Sequence, residues 1–90
     1  MAEVIIKMKV MPEDADTDMN KLLEVCKATA KKEGATVHQH EIQPIAFGLN
    51  ALILIMIIDE SKGITNLENA MEAIPQISTI EVQDVRRAIG

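Results

Sequence analysis

Ala51 to Ile58 is an unbroken apolar run, Ala-Leu-Ile-Leu-Ile-Met-Ile-Ile, closed by Asn50 before it and Asp59-Glu60 after it. It is far short of the ~20 residues that cross a bilayer. β-Branched residues recur at every second position, so the spacing predicts a strand from Asn50 to Ile58. A strand apolar on both faces must be covered on both and paired at both edges, which places it in the centre of a sheet. The rest of the chain must supply its neighbours and a layer to pack on them.

Upstream, Val4, Ile6, Met8 and Val10 alternate with Ile5, Lys7 and Lys9, predicting a half-buried strand over Val4 to Val10 that Met11-Pro12 ends. An acidic loop follows, with Glu13, Asp14 and Asp16. Met19, Leu22, Leu23, Cys26 and Ala30 then recur at helical spacing, predicting a helix from about Asp18 to Glu33. Thr17 or Asp18 caps its start, Lys31 and Lys32 complement its last turn, and Gly34 offers a left-handed stop. The polar stretch Thr36 to Ile42 reads as an edge strand.

Downstream, Asp59 to Gly63 is a polar turn. A second helix is predicted from about Asn66 to Ala73, with Thr65 and Glu68 as a capping box and Leu67, Ala70, Met71 and Ile74 as its buried stripe. Pro75 stops it. A last strand covers about Ser78 to Val85, with Ile80 and Val82 inward, and Arg86-Arg87-Ala88-Ile89-Gly90 forms a basic tail. The order βαββαβ predicts an α+β, ferredoxin-like sandwich. Right-handed crossovers put both helices on one face of a four-stranded antiparallel sheet of order 4-1-3-2. With 90 residues, 48 % of them hydrophobic, the chain is expected to be one domain over residues 1–90.

The same pattern leaves Ile5 and alternate residues of Leu52 to Ile58 facing away from the helices. Either a partner, a second copy or a loop covers them, or they are ordinary central-strand residues that the sheet tolerates.

The chemistry that this fold hosts elsewhere is missing. Cys26 is the single cysteine, so no intramolecular disulfide forms and no thiolate pair holds a metal. It lies on the apolar helix face, where a packed core thiol is expected. The first loop is acidic and repels phosphate. His38 and His40 share a strand face, but two ligands are too few for a metal site, and solvated histidines are expected. Asp59-Glu60 reads as a solvated turn. No strand carries an aromatic residue on which RNA bases stack. A net charge of −5 and a pI near 4.9 disfavour direct nucleic-acid contact and suit a basic protein partner. No catalytic residue and no cofactor are expected. The N-terminus lacks the basic region of a signal peptide, so a cytoplasmic protein without membrane association is expected.

Two features lack an internal reason. Phe47, the sole aromatic residue, sits in an irregular connection between Pro44 and Gly48. It is either an interface anchor on a loop or a lid folded over the sheet edge. Arg86-Arg87 is either a mobile basic tip that reaches an anionic site on a partner or a frayed, solvated tail.

Four segments, in order and spacing, carry a resemblance: Val10-Met11-Pro12-Glu13, Pro44-Ile45-Ala46-Phe47-Gly48-Leu49, Asp59-Glu60 with Lys62-Gly63, and Asp84-Val85-Arg86-Arg87-Ala88-Ile89-Gly90. Through essentially its whole length the chain resembles the archaeal elongation factor 1-beta family, the nucleotide-exchange factors of translation. The resemblance implies the ferredoxin-like fold and a partner, the GTPase elongation factor 1-alpha, whose GDP is released so that GTP can enter. It implies that Phe47, with Pro44 and Gly48, packs against that GTPase. It also implies that Arg87, in preference to Arg86, reaches the magnesium and phosphate region. A monomer is expected when the protein is free. Eukaryotic members place lysine near the end, whereas this chain has no lysine after Lys62, and Asn50 and Ala51 stand near a basic pair of those relatives. Two competing readings are a ligand-sensing domain that dimerises through its sheet and an acyl-phosphate hydrolase.

Overall fold

The computed structural model describes residues 2–88, so Ile89 and Gly90 of the expected tail lie outside the described residues. The elements are β1 (Glu3–Pro12), α1 (Met19–Lys32), β2 (Ala35–Pro44), a short 3-10 turn (Ala46–Gly48), β3 (Asn50–Asp59), α2 (Ile64–Glu72) and β4 (Ile77–Ala88). All neighbours in the sheet are antiparallel and the order is β2-β3-β1-β4, which is the expected 4-1-3-2 read from the other side. The fold is the ferredoxin-like sandwich that the strand and helix order predicts.

β3 occupies the centre, as its composition demands. Leu52, Leu54, Met56 and Ile58 pair with Val10, Met8, Ile6 and Val4 of β1, and this face lies under the helices. Leu22 and Cys26 of α1 and Leu67 and Met71 of α2 close the core, and no polar or charged residue among those described is buried. A core of aliphatic and sulfur side chains leaves no hydrogen-bonding requirement unmet inside.

α1 starts where Asp18 Oδ1 accepts hydrogen bonds from the N–H groups of Asn20 (3.0 Å) and Lys21 (3.2 Å), satisfying two donors of the first turn. Gly34 follows its last turn at φ +83, a left-handed stop. α2 begins differently from the expected capping box. Gly63, at φ +82 and ψ 129, precedes the first helical residue, Ile64, and no side chain caps the helix. Thr65 and Glu68 therefore lie inside the helix. The glycine lets the chain turn straight from β3 into the helix, and Ile64 packs against the core two residues before the expected start.

The outer face of the sheet is not an open apolar surface. Ile53 lies between Lys9 and Glu41 in the register, and Ile55 between Lys7 and Gln39. These long side chains flank the isoleucines in the register, where stems of this kind can lie along apolar surface. Ile53 is 4 % exposed and Ala51 fully buried, while Ile5, Ile55 and Ile57 are half-buried. No loop of the described chain covers this face, and Ile5, Ile55 and Ile57 keep part of their surface in solvent. Both edge strands are bulged: His38 is the extra residue between Val37 and Gln39, and in β4 Gln83 is extra between Val82 and Asp84 and Ser78 between Ile77 and Thr79. Bulges twist an edge away from further pairing.

Burial without a polar partner pushes the Cys26 thiol up from its ordinary 9.0 to about 11. The native state therefore keeps the proton over a range where the unfolded chain releases it. This contribution to stability is complete below pH 9.0 and is lost as the pH rises towards about 11. Chemical denaturation across this range should show a loss approaching ~1.4 kcal/mol per pH unit, and Cys26→Ala should remove that slope. An identical slope in the variant would show that other groups account for it.

Candidate functional site

The connection between β2 and β3 is a closed hairpin tip. Pro44 pairs with Asn50, the Ile45 N–H donates to the Leu49 carbonyl at 2.8 Å, and the Leu49 N–H donates to the Ala46 carbonyl at 3.2 Å. Reversing the chain in so few residues places Phe47 at φ 63, ψ 32 and Gly48 at φ 76, both left-handed. A Cβ on Gly48 would meet nothing within 4 Å, so glycine stands there for its backbone freedom and not for space. Phe47 has no such freedom, and a left-handed residue with a side chain costs roughly 1–2 kcal/mol. Its ring is 96 % exposed and repays none of that within the chain. The lid alternative is thus excluded, and the exposed-loop alternative holds. Pro44 and Gly48 are exposed beside it, and Ile42, at 43 % exposure, continues the apolar surface along β2.

Arg86 and Arg87 are neither a mobile tip nor a frayed tail. They belong to β4, which is longer than its composition predicts: Ile5 pairs with Arg86 and Val4 with Arg87. Arg86 Nε meets Asp84 Oδ2 at 2.7 Å, and Arg87 Nη2 meets Glu60 Oε2 at 2.7 Å. The turn that delivers Glu60 is internally braced. Asp59 Oδ1 accepts from the Ser61 N–H at 2.9 Å, and the Asp59 carbonyl accepts from the Lys62 N–H at 2.9 Å. Hydrogen bonds from Ser61, its hydroxyl and then its backbone N–H, hold the Asp59 carboxyl below its ordinary 3.8. Glu60 was expected to be a solvated turn residue. It is exposed, but the register brings it to Arg87, a neighbour that no sequence spacing reveals.

Phe47 and the arginines do not form one cluster. Phe47 lies before Asn50 at one end of β3, whereas Arg87 aligns through Val4 with Ile58 at the other. The strand between Asn50 and Ile58 spans about 27 Å at ~3.4 Å per residue. Glu13, Asp14 and Asp16 follow Pro12 at the Phe47 end. Among the described residues no three His, Cys, Asp or Glu side chains are grouped to hold a metal ion. Among the described residues no helix is long and apolar enough to cross a membrane.

The strain at the tip is measurable. Phe47→Gly should leave the urea midpoint unchanged or raise it, because no buried contact is lost and the left-handed backbone is relieved. Gly48→Ala should lower stability by roughly 1–2 kcal/mol despite the open space around it. A destabilised Phe47→Gly protein would mean that the ring packs on the fold.

A family model for the EF-1 guanine nucleotide exchange domain matches residues 5–88. The elongation factor 1-beta of Methanobrevibacter smithii is 41 % identical over 88 residues, covering 97 % of this chain and 98 % of that protein. The elongation factor 1-beta of Methanocella arvoryzae is 37 % identical over 89 residues, covering 98 % and 99 %. Among solved structures, the ACT domain from the GTP pyrophosphokinase of Chlorobium tepidum superposes with a TM-score of 0.61 at 12 % identity, over 89 % of this chain and 97 % of that one. That likeness concerns the fold alone.

Proposed function

The chain belongs to the EF-1 guanine nucleotide exchange domain family, and we propose that it promotes exchange of GDP for GTP on elongation factor 1-alpha during translation elongation. Residues 1–90 act as a single exchange domain in the cytoplasm, without enzymatic chemistry or a cofactor of their own. The family and its relatives support the exchange role. The single observation that carries the docking mode is Phe47, held left-handed and 96 % exposed at the hairpin tip. A strained, solvated aromatic residue is costly to keep on a free protein. Burying it in a partner's pocket recovers about 1.5–3 kcal/mol.

In this reading Phe47, flanked by Pro44 and Gly48, is the docking anchor, and Arg86 and Arg87 are a second contact. The two lie at opposite ends of the sheet, so the partner must reach both across about 27 Å. Exchange follows from linkage. A factor that binds the nucleotide-free GTPase more tightly than the loaded one weakens nucleotide binding by the same ratio. Arg87 supplies a positive charge that competes with magnesium for the anionic groups which otherwise hold the ion. The net charge of −5 steers the domain towards a basic surface.

Release of a fluorescent GDP analogue from elongation factor 1-alpha should accelerate at micromolar concentrations of this protein. Phe47→Ala should cut the acceleration by about thirtyfold, the effect of losing a ~2 kcal/mol interface anchor, with the melting temperature unchanged. No acceleration by the unmodified protein would overturn the function. Full acceleration by a folded Phe47→Ala protein would overturn the docking mode.

A further inference from the structure

We infer that Glu60 is a positioning residue for the exchange reaction: it aims the Arg87 guanidinium at the partner's anionic site. This rests on the reading of Arg87 given above and assigns Glu60, one of the residues that carry the resemblance, a role that the resemblance does not give it.

Glu60 follows β3 and Arg87 lies in β4, with β1 between them, so their side chains meet across the end of β1 at 2.7 Å. Such a contact needs a fixed carboxylate, and the turn provides one. The Glu60 N–H donates to the Ala2 carbonyl at 3.2 Å, tying the turn to the start of β1. Asp59 closes the turn through Ser61 and Lys62. On the far side the Lys62 stem lies over Gly34, where an added Cβ would come within 3.1 Å of Lys62 Cγ. Glu60 is thus braced from both sides while its own carboxylate stays in solvent.

Stability does not explain this arrangement. The two side chains are 69 % and 42 % exposed, and exposed ion pairs contribute little to folding. Orientation does. The contact at 2.7 Å is made by Nη2, and a guanidinium presents five N–H donors in a rigid fork. Among the described residues the Arg87 guanidinium has no other partner, so its remaining donors can bind a second anion while Glu60 holds the first corner. Arg86 differs, since its Nε is already taken by Asp84, two residues before it on the same strand. The Glu60–Arg87 pair therefore presents a pre-oriented donor edge, which lowers the ordering cost when the partner engages it. A lysine could be held only as a point charge, so the fork is what allows Arg87 to be shared.

The test is nucleotide release with saturating and sub-saturating factor. Glu60→Ala should reduce the maximal release rate about two- to tenfold, the equivalent of ordering one rotamer-rich side chain. Its melting temperature and its half-saturating concentration should stay near those of the parent. Glu60→Ala with Arg87→Ala together should be no slower than Arg87→Ala alone, whereas Glu60→Ala with Phe47→Ala should be slower than either single variant. Glu60→Asp, shorter by one methylene, should recover part of the rate. A Glu60→Ala rate equal to the parent, or faster because the arginine has been unmasked, would overturn the positioning role. If Arg87→Ala keeps the full rate while Phe47→Ala does not, the assignment of Arg87 fails and the docking anchor stands.

Discussion

β3 has no side that tolerates water. Leu52, Leu54, Met56 and Ile58 need the helices, and Ala51 and Ile53 need the stems of Lys9, Glu41 and their neighbours. Meeting both demands fixes most of the molecule. β1 and β2 must flank the strand, the helices must lie on one side, and the other side must be shielded by long side chains standing on the neighbouring strands. Because the pairing is set by burial, slipping β3 by one residue would exchange its two faces and place Ile53, Ile55 and Ile57 under the helices. The register is therefore tightly specified, and every position beyond the sheet ends inherits that precision.

The hairpin tip and the arginine end are both consequences of this register. Pro44 against Asn50 leaves a short loop in which two successive residues must be left-handed, and the second is glycine. The first could have been asparagine or glycine at lower conformational cost. A phenylalanine there, 96 % exposed, is the one described non-glycine residue held at positive φ, a place where local preference and global fold disagree. Such disagreements concentrate at functional sites, since elsewhere the sequence has no reason to retain them. At the opposite end, pairing of Glu3 to Ile5 with Arg86 to Ala88 converts an apparent tail into the last turns of a strand, and thereby places Arg87 within reach of Glu60.

Elements whose pattern is dictated by burial were legible in the sequence. The apolar run of β3, the alternation of β1 and the stripe of α1 each have a single reading. What escaped was decided by tertiary contact. The start of α2 obeys the packing of Ile64 and the left-handed Gly63, so the Thr65–Glu68 signature, correct as local chemistry, lost to a longer-range term. The bulges at His38 and Gln83 have no composition signal. The extent of β4 depends on what β1 offers it, and Arg86-Arg87 looks like a tail only while that strand is out of view. Exposure of Phe47 was undecidable because an aromatic residue near a sheet edge serves equally well as lid or anchor until the loop dihedrals are known. Of the candidate site, the residues were legible and their separation was not.

That separation bears on how the proposed exchange mode would work. Docking at the Phe47 tip and competition at the arginine end are useful together only if force or position is transmitted between them. Two separate contacts joined by a flexible linker would each settle independently. Here they are joined by a four-stranded sheet whose core is apolar throughout and whose two central strands pair over nearly their full length. Dense interiors of this kind deform little. Burial of one aromatic ring yields about 1.5–3 kcal/mol, which matches the ~1–3 kcal/mol that links two sites in typical allosteric coupling. In the proposed mode the tip therefore supplies free energy of the right size, and the sheet holds the guanidinium at a fixed distance from it. A GTPase that accepts Phe47 must then either accommodate Arg87 as well or give up the docking contact. Accommodation is easier for a nucleotide site that has already lost its magnesium and phosphate, and that difference in binding is what drives release.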